Sequence, residues 1–173
     1  VTYAALARGV TLEDFEALQR VAHAIDLVVT DDRVLLDGED VTSAIRTMEI
    51  TAQTRHAADH VGVRAKLVEL QQAFAQGHNV VAEGRDQASV VFPQAECKIF
   101  LTASEGERPR RRHQDLLQGG EQVTLEDVLQ KQRIRDERDE TRAVGALQRM
   151  PDSIVFNTDG MTPEQVVDRL ERI

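Results

Sequence analysis

The stretch from Asn79 to Pro93, NVVAEGRDQASVVFP, decides how this chain is read. Two β-type runs, Val80-Val81-Ala82 and Val90-Val91-Phe92, flank a polar centre of Glu83, Gly84, Arg85 and Asp86. Glycine at 84 permits close backbone approach or an unusual dihedral. Arg85 offers a forked donor suited to phosphate or carboxylate, and Asp86 is an acceptor one position on. A buried-type strand ending in Gly-Arg-Asp reads as the carboxyl end of a central strand, where open α/β sheets place their ligands. The same residues also fit a tight surface turn closed by a local ion pair. Taken alone, they do not separate the two.

Outward from this stretch, strand and helix signals alternate. Towards the N-terminus, Val1 to Arg8 reads as a helix with Gly9 as its stop, and Thr11 with Asp14 as a capping-box-like start of the next. Ile25 to Val29 and Val34 to Leu36 form a hairpin around Thr30-Asp31-Asp32, with a turn at Asp37 to Asp40. Glu49 to His60 and Val63 to Gln76 are two helices broken at Gly62. Val63, Leu67, Leu70 and Phe74 make an apolar stripe on the second, with Arg64 one step off it. Towards the C-terminus, Cys97 to Leu101 reads as a buried strand, followed by a helix capped by Ser104. Gly119-Gly120 breaks that helix, and Thr124 with Asp127 opens the next. Ile154 to Phe156 is a last strand, and Thr162 with Pro163 starts the final helix. The alternation predicts an α/β fold with a mainly parallel sheet and helices on both faces.

Composition narrows the function. A chain of 173 residues fits one domain with small lobes, and 41% hydrophobic content supports a core. Aromatics at 3% leave its packing to Val, Leu, Ile and Ala. A net charge of −9 argues against a general nucleic-acid or anionic-membrane binder, so any anionic ligand must be held by a local arginine cluster. The single Cys97 excludes an internal disulfide and a Cys-based zinc site, and the histidines show no metal spacing.

One such cluster lies between Lys131 and Arg142. Arg135, Arg138, Asp139 and Arg142 fall at i, i+3, i+4 and i+7, on one helix face. Three arginines beside one aspartate make a positive stripe, although a solvated helix laced with i,i+4 pairs has the same spacing. Arginines suit phosphoryl transfer, which demands alignment and charge neutralisation more than covalent work.

Four segments, VLLDGEDVTSAIRT, AEGRDQASVVFP, CKIFLTASEGERPRRR and RIRDERDETRAV, stand in the order found in bacterial cytidylate kinases. The chain resembles that family of P-loop nucleoside monophosphate kinases over essentially its whole length. The resemblance implies core helices in 1–24, a nucleoside-monophosphate lobe in 25–78, core in 79–104, a helical lid in 105–142 and core in 143–173. It implies transfer of phosphate from ATP, with Mg²⁺, to CMP or dCMP by a cytoplasmic monomer. Arg64 and Asp86 would read the base, Arg85 would hold the α-phosphate, and Arg135 and Asp139 would contact the ribose. Arg142, with the lid residues Arg111 and Arg112, would act on the phosphates. A carboxylate at Asp86 suits the exocyclic amine of cytosine and disfavours the carbonyl of uracil.

The sequence also departs from the family. It contains no GxxxxGK[ST] run, the phosphate loop that supplies backbone donors, a lysine and a hydroxyl for Mg²⁺. The resemblance therefore implies a chain without the family's first strand and phosphate loop, binding ATP poorly and turning over little. Arg55 stands near where the family carries a small serine, Ala88 replaces a glycine, and Ser89 replaces a threonine. Two further readings stay open: a degenerate binding module that keeps the monophosphate pocket, and an interaction protein using its acidic surface. If the base-reading role holds, Asp86→Ala lowers discrimination between CMP and UMP, whereas Arg142→Ala weakens turnover of both. Parallel kinetics on the two substrates check this, and equal losses in the Asp86 variant remove the role.

Overall fold

The computed structural model describes residues 1–30, 32–141 and 145–173, with the backbone alone of Arg138. The chain divides into two compact units, Val1–Val81 and Ala82–Ile173. Among the described residues, no helix is long and apolar enough to cross a membrane.

In the first unit, α1 (Thr2–Ala7) is followed by α2 (Phe15–Ala24). Asp14 caps α2, its carboxylate accepting from the Ala17 amide at 2.9 Å. The expected cap, Thr11, instead offers its carbonyl to the Asp14 amide. Leu18, Val21, Ala22 and Ile25 recur at helical spacing and are all buried, with Leu18 fully so. They pack with Ala4, Ala5, Leu12, Ala57 and Val63 into the core of this unit.

The hairpin falls where the sequence placed it. β1 (Leu27–Val29) pairs antiparallel with β2 (Val34–Leu36). The residues read as a mere turn extend it, because β3 (Glu39–Asp40) pairs back onto β2. Asp37 (φ 53°) and Gly38 (φ 84°) both take left-handed dihedrals, as a two-residue turn matched to the twist of the strands requires. The Asp37 carboxylate accepts from the Asp26 amide at 2.9 Å and pairs with Arg8 just beyond α1. One side chain thus ties the first helix to the sheet.

Thr47 caps α3 (Met48–Ala58), and His60 caps α4 (Val61–Ala75), its Nδ1 accepting from the Val63 amide at 3.1 Å. The break between these helices therefore lies at Asp59-His60. Gly62 sits inside the first turn of α4, where the Gln19 side chain of α2 comes so close that a Cβ would displace it.

The two valine runs of the opening stretch, which spans the boundary between the units, are not strands. Residues 80–82 are irregular, and Val81 is fully exposed. Val90 and Val91 belong to a π-helical turn over Gln87–Val91. Here the amides of Val90 and Val91 bond the Asp86 carbonyl, and that of Phe92 bonds the Gln87 carbonyl. Strand propensity expresses a fit to a pleated neighbour. Among the described residues neither run has a ladder partner, so local bonds and irregular backbone prevail.

Parallel pairing, among the described residues, is confined to β4 (Ile99–Thr102) and β5 (Ile154–Asn157), with Ile99 opposite Ile154 and Thr102 opposite Asn157. The helices α5 (Glu107–Gln118) and α6 (Leu125–Thr141) lie between these strands in sequence, and α7 (Pro163–Leu170) follows them. Ser104 offers α5 only its carbonyl, while its amide donates to Asp159 at 2.8 Å. Thr124 and Asp127 cap α6 reciprocally, and Thr162 with Gln165 forms a full capping box on α7. The fold is mixed α/β, with one antiparallel and one small parallel sheet.

The Asp26 amide, and secondarily Arg8, hold the Asp37 carboxyl below its ordinary value of 3.8. A depressed carboxylate contributes stability above the unfolded-state value and loses it as pH falls through the folded one. Melting temperature should therefore drop more steeply with acidification below about pH 3.8 in the unsubstituted protein than in Asp37→Asn. Equal acid slopes would show that this tie contributes nothing.

Candidate active site

The C-terminal half of α6 presents Arg135 and Asp139 one turn apart, on the same face, as the periodicity predicted. Asp139 is 6% exposed, unlike the partner in a solvated ladder. Its Oδ2 lies 3.1 Å from Arg85 Nε and 3.8 Å from Arg135 Nε. Two guanidinium groups from distant parts of the chain thus meet over one buried carboxylate. The Arg85 pair is the tighter one and is two-thirds buried on the arginine side, whereas Arg135 is 70% exposed and its contribution is screened. Two cations face one buried anion there.

Asp86 follows Arg85 directly, in half-buried backbone anchored by the π-helical turn. Its neighbour Ala88 lies inside that turn, the place where a glycine was expected to matter.

Arg111, on α5, is held on three sides. Its Nε donates to Glu107 at 3.1 Å, its Nη1 to the Thr158 hydroxyl at 3.0 Å, and its Nη2 to the Thr158 carbonyl. Arg112, the next residue, is exposed. Arg142 lies outside the described residues. In the first unit, Arg64 is half-buried, and its Nη1 donates to the Ala58 carbonyl at 3.2 Å. A cation there complements the C-terminal end of α3. Arg55 is exposed on the same helix.

Two features had no signal in the sequence. Arg108 and Asp136 form a two-pronged ion pair, both bonds 2.9 Å, that joins α5 to α6. Arg108 was one of several arginines in a run, and nothing marked Asp136 as its partner. Thr158, a single buried threonine after β5, was not distinguished at all. Arg108, Arg111 and Thr158 also line a cavity of about 540 Å³ with Leu101, Val167 and Leu170, within the size range of small-molecule sites.

The sequence model of the family described as Cytidylate kinase matches residues 1–173, the whole chain. The chain belongs to the cytidylate kinase family. It is 41% identical over 173 residues to a cytidylate kinase of Rhodopirellula baltica, covering all of this chain and 76% of that protein. A cytidylate kinase of Azotobacter vinelandii is likewise 41% identical, over 98% of this chain and 77% of its own length. A bifunctional pantoate ligase/cytidylate kinase of a Synechococcus strain is 38% identical over 98% of this chain, which spans 33% of it. Membership in this kinase family makes the chain a nucleotide-binding transferase by descent.

If Arg85 and Asp139 depend on each other, their substitutions cannot add. In a denaturant-unfolding cycle, Arg85→Met and Asp139→Asn together should cost less than the sum of the single changes, by about 0.5–3 kcal/mol. Additive losses would show that the 3.1 Å contact carries no energy.

Proposed function

We propose that this protein phosphorylates CMP and dCMP with ATP as donor, acting as a cytoplasmic monomer on the nucleoside monophosphate kinase fold. The observation that carries the reading is the meeting of Arg85 and Arg135 at buried Asp139, which brings together three of the residues expected to hold the acceptor nucleotide. Arg85 has two roles to reconcile. Its Nε faces Asp139, and guanidinium carries further donors on its terminal nitrogens, which can take a phosphate. Asp139 neutralises part of the charge, keeps Arg85 in place, and offers a carboxylate acceptor for ribose hydroxyls. Arg64 and Asp86 read the cytosine, and Arg111, Arg112 and Arg142 attend the phosphates. The monophosphate lobe falls within 25–78 and the lid within 105–142.

These residues suit the acceptor better than the donor. The 173 residues contain no GxxxxGK[ST] run, and the Gly119-Gly120 pair serves to end α5. Among the described residues, no group of three or more His, Cys, Asp or Glu side chains could hold a metal ion. ATP supplies the phosphoryl group, but none of the residues described is assigned to its triphosphate or to Mg²⁺. A non-catalytic module that keeps the acceptor pocket is the alternative.

Calorimetric titration with CMP should show binding that weakens about tenfold or more in Arg85→Ala, the loss of one hydrogen bond between charged groups. A coupled assay of CMP-dependent ATP consumption, run on the natural full-length protein, then separates the two readings. Turnover supports the kinase, CMP binding without turnover supports the module, and no binding of CMP or dCMP overturns both.

A further inference from the structure

We propose that Thr158 is a positioning residue that sets the Arg111 guanidinium for phosphoryl transfer. The inference rests on the reading of Arg111 given above.

Thr158 is 8% exposed and sits where β5 ends. Its amide donates to the Thr102 carbonyl at 2.9 Å, which carries the β4–β5 pairing one step past the last paired residues. Its hydroxyl donates to the same carbonyl at 3.2 Å. A hydroxyl has one proton and two lone pairs, so with the proton spent on Thr102, only a lone pair can face a second partner. That partner is Arg111 Nη1, at 3.0 Å. The Thr158 carbonyl accepts from Arg111 Nη2 and from the Met161 amide. Donors and acceptors therefore have a fixed polarity from β4 through Thr158 to α5.

The consequence for Arg111 follows from counting its donors. Guanidinium has five N–H groups: one on Nε and two on each terminal nitrogen. Glu107 takes the Nε proton, and Thr158 takes one from each terminal nitrogen. Among the described residues this leaves one N–H on each of Nη1 and Nη2. Both terminal contacts go to one residue, so Thr158 takes the parallel end-on pair, and the two N–H groups left lie on opposite edges of the guanidinium plane, each able to donate singly to a phosphoryl oxygen. Without the hydroxyl, Nη1 loses its partner and the plane can turn.

The test uses the natural full-length protein with Thr158→Val, which keeps the shape and both backbone contacts, and Thr158→Ser, which restores the hydroxyl. Thr158→Val should lower kcat for CMP phosphorylation about ten- to a hundredfold, the range for a misplaced group, with KM for CMP unchanged. Thr158→Ser should recover kcat. Adding Thr158→Val to Arg111→Lys should cost little beyond Arg111→Lys alone. A kcat that Thr158→Val leaves intact or raises, or a loss that simply multiplies with that of Arg111→Lys, overturns the proposal. A melting cycle of Thr158→Val with Arg111→Met reads the tie independently of turnover, and additive shifts there overturn it too. If the unsubstituted protein shows no CMP-dependent ATP consumption, the phosphotransfer reading fails and takes the catalytic part of this inference with it, while the melting cycle still decides whether Thr158 holds Arg111.

Discussion

Burying Asp139 confines an acid where water cannot stabilise it, and that cost must be met by cations close at hand. Arg85 at 3.1 Å and Arg135 at 3.8 Å meet it. The constraint works in both directions. An overall charge of −9 repels anions, and only where arginines outnumber their local acids can a phosphate be held. Arg108 is matched one to one with Asp136, whereas Arg85 and Arg135 share Asp139, as Arg110 and Arg111 share Glu107. Burial distinguishes Asp139, which is 6% exposed.

Precision at such a site comes from what stands behind it. The π-helical turn anchors the backbone next to Arg85 by bonding the carbonyls of Asp86 and Gln87. The Arg108–Asp136 pair joins the two helices that carry Arg111 and Arg135. Thr158 links the end of the parallel strands to α5. Each device uses a charged or buried polar group whose alternatives cost free energy, so each favours one geometry over many. The first unit uses the same economy in Asp37, whose turn dihedral and carboxylate together join helix to hairpin.

Local signals located most elements because their causes are local. The Leu18, Val21, Ala22 stripe, the Thr162–Gln165 box and the Asp37-Gly38 turn act within a few residues. Reading failed where the cause lay elsewhere. Val80 to Ala82 and Val90 to Phe92 have strand composition, yet a strand needs a neighbour, and among the described residues none is hydrogen-bonded to them. Phe74, placed on the buried stripe of α4, is 61% exposed, and Val167 of α7 is 52% exposed. Periodicity names a face without saying whether anything covers it.

From sequence alone came the family resemblance, the alternation of helix and strand, and the set of arginines and acids able to hold a nucleotide. Spacing also put Arg135 and Asp139 on one face, since that follows from helix geometry. Only the tertiary structure decided that Asp139 is buried, that Arg85 reaches it, that Asp136 belongs to Arg108, and that Thr158 holds Arg111. These partners are far apart along the chain. Their pairing depends on how strands and helices pack, and no periodicity or local preference encodes that distance.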